Sequence, residues 1–137
     1  SLKIRLLAML HIGFIWLGLA FLISGLTNIL GATSGLVLPW AALHALTMGC
    51  LGSLILAMVT RVSCGHSGRA LIADDKVWAL FWLLQLAIVL RLAGAFPSAQ
   101  ASLLLMLSAL LWTGIVAVWA WRYSRWYGKP RVDGKEG

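Results

Sequence analysis

Acidic side chains are nearly absent from this sequence. Asp74, Asp75, Asp133 and Glu136 are its only carboxylates, and charged residues of both signs make up 11% of the 137 residues. So few polar groups cannot clothe a soluble globule. No carboxylate falls inside a long apolar run, which removes both a hydrolytic acid–base pair and a carboxylate relay for protons across a membrane. Cysteine is limited to Cys50 and Cys64, which a helical rise places roughly 21 Å apart, too far for a disulfide within one chain. A phosphate loop, a Cys-x-x-Cys-His haem-attachment motif and a dinucleotide fingerprint are also missing.

What is present is apolar: 61% of residues are hydrophobic and the mean hydropathy is +0.93. A helix crosses the hydrocarbon layer with about 20 apolar residues, and four such stretches stand out at 4–30, 36–60, 77–96 and 101–121. The runs are continuous instead of alternating, so helices, not barrel strands, satisfy the backbone. The first run is too long for a secretory h-region and no small-residue cleavage site follows it, so it is expected to remain as a span. The sequence predicts an all-α integral membrane protein. Short connections make it one four-transmembrane-helix antiparallel bundle over residues 1–137, with a basic tail at 122–137.

The formal net charge of +7 is distributed by side. Every lysine and arginine except Arg91 lies at the N-terminal edge of the first run (Lys3, Arg5), between the second and third (Arg61, Arg69, Lys76), or after the fourth. The positive-inside rule then puts both termini in the cytoplasm, with membrane lipids and no nucleic acid as the partners of that charge. Lys3 and Arg5 contribute to this reading at the N-terminal end. Gly65 and Gly68 are expected to supply left-handed turns ending the second helix, and Asp74 or Asp75 to cap the third. Small residues (Gly13, Gly18, Gly25, Gly49, Gly52, Ser53, Ser108, Gly114) suit close helix packing or a slot for a flat ligand. Trp40, Trp78, Trp82, Trp119, Trp121 and Tyr123 fall near span ends, as an aromatic belt would.

Polar groups within spans are costly and therefore candidates for function. They are His11, His44, Gln85 and Arg91. His44 and Arg91 fall at the same depth in the outer half of the membrane, so an imidazole for iron and a guanidinium for a propionate come within reach of one haem. His11 lies roughly 16 Å from His44 along the membrane normal, which argues against their joint ligation of one iron and leaves room for a haem shared between chains. His66 stands near Cys64 and Met58, a donor set that suits copper. Its setting in Gly65-His66-Ser67-Gly68-Arg69 equally suits a helix terminator with an anion site in which Arg69 takes part.

His44-Ala45-Leu46-Thr47, Met58, Arg61-Val62-Ser63 and Gly65-His66-Ser67-Gly68-Arg69 together resemble the NnrS family of bacterial polytopic membrane proteins. The closing Pro130-Arg131-Val132-Asp133-Gly134-Lys135-Glu136-Gly137 resembles that family's Pro-Arg-Val-Asp-Gly-Lys-Pro-Gly, with Glu136 in place of proline. Cys64 stands where an apolar residue is expected. The resemblance is to the last third of proteins with about twelve spans, so the chain reads as a piece, a short homologue or a subunit of a larger complex, and self-association would supply missing helices.

The resemblance implies a haem-binding membrane protein of the bacterial inner membrane, linked to nitric oxide and nitrosative stress, with a non-covalent b-type haem and copper as a second metal. On that reading His44, His11, Arg91 and Arg69 bind the cofactor, and His44, His11 and His66 are the metal ligands. Two other functions are open: a structural or assembly subunit whose histidines bond to neighbouring chains, and a small transporter with Gln85, Arg91 and His44 along a watery path.

Overall fold

Residues 4–135 are described by the computed structural model; Lys3 and Glu136 lie outside the described residues. Within them the chain forms four long helices and no strand, namely α1 (Arg5–Ser34), α2 (Ala41–His66), α3 (Asp75–Ala93) and α4 (Ala101–Ser124). All four are long and apolar enough to cross a membrane. The second span begins and ends about five residues later than its apolar run suggested; at its far end Arg61 to His66 stay helical although Arg61, Ser63 and His66 are polar.

Each helix end has an identifiable device. α1 closes on Gly35, whose φ of 72° is left-handed. α2 ends in a Schellman motif: the Gly68 amide donates to the Gly65 carbonyl at 3.2 Å and the Arg69 amide to the Cys64 carbonyl at 2.9 Å. Gly68 alone supplies the left-handed residue, at φ 73°, while Gly65 remains within the helix. α3 opens on Asp74, whose carboxylate accepts from the Val77 amide at 3.1 Å.

One end of the bundle is closed by a continuous apolar core. Leu6 and Met9 of α1, Leu56 of α2, Phe81, Leu84 and Ile88 of α3, and Ile115 and Tyr123 of α4 are all buried in it. Arg5 bonds to Asp75 at 2.7 Å and the Val132 amide donates to the Ser67 carbonyl at 3.0 Å. These contacts place both ends of the described chain beside the α2–α3 loop. At the other end α1 carries no buried residue beyond Ala20, and the bundle opens.

Polar side chains lock the helices where lipid offers no partner. Trp16 Nε1 donates to Gln85 Oε1 at 2.7 Å, and Gln85 Nε2 to Ser53 Oγ at 3.0 Å, which joins α1, α3 and α2. Trp119 Nε1 donates to Thr60 at 3.1 Å and Ser108 Oγ to the Ala87 carbonyl at 2.6 Å. No buried side-chain nitrogen or oxygen among the described residues lacks a partner, as a hydrocarbon surround demands. Trp119 is thus a helix-to-helix bond as well as a belt residue.

The small residues divide by role. A Cβ on Gly49 would lie 2.7 Å from the Trp16 ring, one on Gly13 2.9 Å from Leu54, and one on Gly52 3.0 Å from Trp112, so these three permit close approach. Gly18, Gly25 and Gly114 meet nothing within 4 Å.

Candidate functional site

The open end holds a cavity of about 400 Å³ lined by His44, Thr47, Met48, Arg91, Leu105, Ser108, Ala109 and Trp112. Its size falls within the range of small-molecule sites, and its lining is largely apolar with a few polar groups. Equal depth, read from helical rise, brought His44 and Arg91 together in the sequence, and the fold places both on this one wall.

Backbone geometry at the start of α2 fixes the imidazole. Trp40 is the sole non-glycine residue with positive φ among the described residues, at 63°, a left-handed conformation rare for a bulky side chain. Its carbonyl takes the His44 amide at 2.9 Å and lies 2.8 Å from His44 Nδ1. A carbonyl only accepts, so Nδ1 carries the proton and donates it, and the lone pair of a neutral ring is left on Nε2. A metal-binding histidine is commonly oriented in this way through its other nitrogen.

Immediately after His44 the helix widens. Ala45–Gly52 form π-helical turns, a geometry rare overall and frequent at functional sites. Thr47 and Met48, on the cavity wall, belong to this stretch. Thr47 Oγ1 spends its proton on the Leu43 carbonyl at 2.8 Å, and Ser108 is bonded to Ala87. Arg91 forms no ion pair or side-chain hydrogen bond among the described residues. His44 Nε2 and the Arg91 guanidinium are therefore left in this cavity to meet a metal or an anion, beside Trp112, whose indole N–H also makes no hydrogen bond among the described residues.

The remaining candidates lie elsewhere. His11 is exposed on α1, donates from Nδ1 to the Leu7 carbonyl at 2.7 Å, and does not line the His44 cavity. Arg69 sits beyond the far end of α2, its guanidinium 4.2 Å over the Trp126 ring. His66 shares a cleft with Met58, Arg61 and Arg131, whereas Cys64 is buried and lines a different cavity with Arg69, Asp74 and Arg122. The Met58, Cys64 and His66 donors are thus divided between two sites. Among the described residues no three histidine, cysteine or acidic side chains gather as a metal cluster.

The polar end shows what apolar runs could not. Arg122 grips the Asp74 carboxylate with both terminal nitrogens; this bond holds the carboxyl below the usual carboxylate range, assisted by the Val77 amide. The chain after α4 returns over the α2–α3 loop instead of trailing away. Tyr127 and Ser63 share a hydroxyl–hydroxyl bond of 2.7 Å, and Asp133 packs against Gly68 so closely that a Cβ there would lie 2.6 Å from its Oδ1.

The sequence model of one family, described as NnrS protein, matches residues 1–131. No curated protein and no solved structure matches the chain.

Proposed function

The chain belongs to the NnrS family, and from that membership we propose that it binds haem in the membrane and binds or responds to nitric oxide there. The observation that carries the proposal is the cavity holding an Nδ1-oriented His44 and an ion-pair-free Arg91 within apolar walls. His44 Nε2 would hold the haem iron and Arg91 would pair with a propionate. Bound there, a histidine-held haem would supply diatomic gas binding. The chain's own contribution is to hold the imidazole in one tautomer through Trp40 and to keep the pocket apolar.

The cationic end supports a reading in which both termini face the cytoplasm, and the family membership supports a bacterial inner membrane as the location. The bundle's open end and exposed apolar faces favour a homo-oligomer, or a place within a larger membrane complex, to complete the pocket. Copper is the second metal that the resemblance implies, but Met58 and His66 line one cleft and Cys64 a different one, so these donors do not fit a single copper site. The test is the visible spectrum and metal content of the intact detergent-solubilised protein. A Soret band that shifts with nitric oxide and disappears in His44→Ala supports the proposal; a colourless, metal-free protein sinks it.

A second reading rests on His11, which presents a fixed imidazole on an exposed face of α1. An assembly subunit would use such a group to bond a neighbouring helix. In that case the chain copurifies stoichiometrically with larger proteins, and His11→Ala loosens the complex without altering any chromophore.

A further inference from the structure

Three segments distant in sequence form a cleft of about 360 Å³ at the polar end of the bundle: the last turns of α2, the α2–α3 loop and the returning chain after α4. Its floor is apolar, with Met58, Val62 and Leu71 each about half exposed at 46%, 45% and 51%. Arg61, His66 and Arg131 supply its polar wall. This combination sits where a membrane-spanning helix ends, which is the depth of lipid headgroups.

Of the two arginines in the cleft, Arg61 is unpaired among the described residues and Arg131 is paired with Asp133. Arg61 and His66 make no ion pair or side-chain hydrogen bond among the described residues. Arg131 uses Nε and Nη2 on Asp133 at 2.9 and 2.7 Å, which leaves its Nη1 protons to donate. Among the described residues no carboxylate lines the cleft itself. The returning chain builds the wall that carries Arg131, held by the Val132 bond to Ser67 and the contact of Asp133 with Gly68.

We propose that this cleft binds an anionic membrane lipid, its headgroup phosphate on Arg61, His66 and Arg131 and its acyl chain along Met58, Val62 and Leu71. Arginine suits phosphate oxygens through its forked donors. The apolar floor, continuous with exposed helix surface, selects a lipid over free phosphate, which has nothing to place there.

The full chain, delipidated in neutral detergent, is titrated with phosphatidylglycerol or phosphatidylcholine and the bound lipid is counted by native mass spectrometry. Phosphatidylglycerol should bind preferentially, and Arg61→Gln should weaken it about five-fold, as one juxtamembrane cation does. Leu71→Glu should weaken it at least as much by placing an anion on the exposed floor. Arg125→Gln, which removes an exposed cation outside the cleft, should leave binding unchanged. Equal binding of the two lipids, equal losses in the Arg61 and Arg125 variants, or full competition by inorganic phosphate would each overturn the proposal. Unaltered thermal unfolding of the variants separates loss of the site from loss of the fold.

Discussion

The Arg131 guanidinium clamps the Asp133 carboxylate two residues further on, through Nε at 2.9 Å and Nη2 at 2.7 Å. The same carboxylate also rests on Gly68 of the α2–α3 loop, so one ion pair shapes the segment that closes the polar end of the molecule.

Asp133 should therefore titrate abnormally. The hydrogen bond from Arg131, aided by the Lys135 amide, pulls its pKa from 3.8 down to about 2. A carboxyl depressed in the folded state stabilises above its unfolded pKa, and that contribution fades as pH falls from near 3.8 through about 2. Docking of the returning chain should persist at pH 5 and weaken progressively as the pH falls from near 3.8 to about 2. The side-chain carbonyl ¹³C resonance of Asp133 reads the midpoint directly, and Arg131→Gln should move it back towards the ordinary value.

Gly49 and Gly18 should respond to alanine with opposite signs. A methyl at Gly49 would collide with the Trp16 ring at 2.7 Å and push Nε1 away from Gln85, whereas one at Gly18 meets nothing. Overpacking of this kind costs about 1–3 kcal/mol, while Gly→Ala in an unobstructed helix gains roughly 0.5–1 kcal/mol. Unfolding in a denaturing detergent series compares the two variants.

Gln85→Leu should destabilise more than Ser53→Ala. The leucine deprives both the buried Trp16 donor and the Ser53 hydroxyl of a partner, at a cost of about 1–3 kcal/mol. Loss of Ser53 removes a single interhelical bond, of the order of 0.6 kcal/mol in membrane helices. Because the two residues share one chain of bonds, the double variant should be non-additive. Equal losses in the two single variants would show that Trp16 does not depend on Gln85.

Hydropathy made the four helices legible, since lipid-facing helices must be apolar almost all round. The shared depth of His44 and Arg91 was legible for an equally simple reason, the fixed rise of a helix. The end of α2 was harder to read: Arg61, Ser63 and His66 interrupt the apolar run, yet the chain remains helical up to the Schellman turn, and hydropathy marks the edge of lipid instead of the edge of a helix. Nothing local announces the π-helical stretch from Ala45 to Gly52. The docking of Asp133 on Gly68 joins segments sixty-five residues apart, and each reads alone as a basic tail or a loop. The two motifs that carried the family resemblance thus prove to be two halves of one contact.

The widened turns after His44 also restrict how the chain can vary in length. An α-helix advances about 100° per residue, so deleting one residue between Ala45 and Gly52 would let α2 wind uniformly only by turning one part against the other. His44 would swing away from Arg91, or Gly49 and Ser53 would leave Trp16 and Gln85. The stretch acts as a phase adjuster between the cavity-facing and bundle-facing parts of a single rod, and its residue count is as constrained as its residue identities.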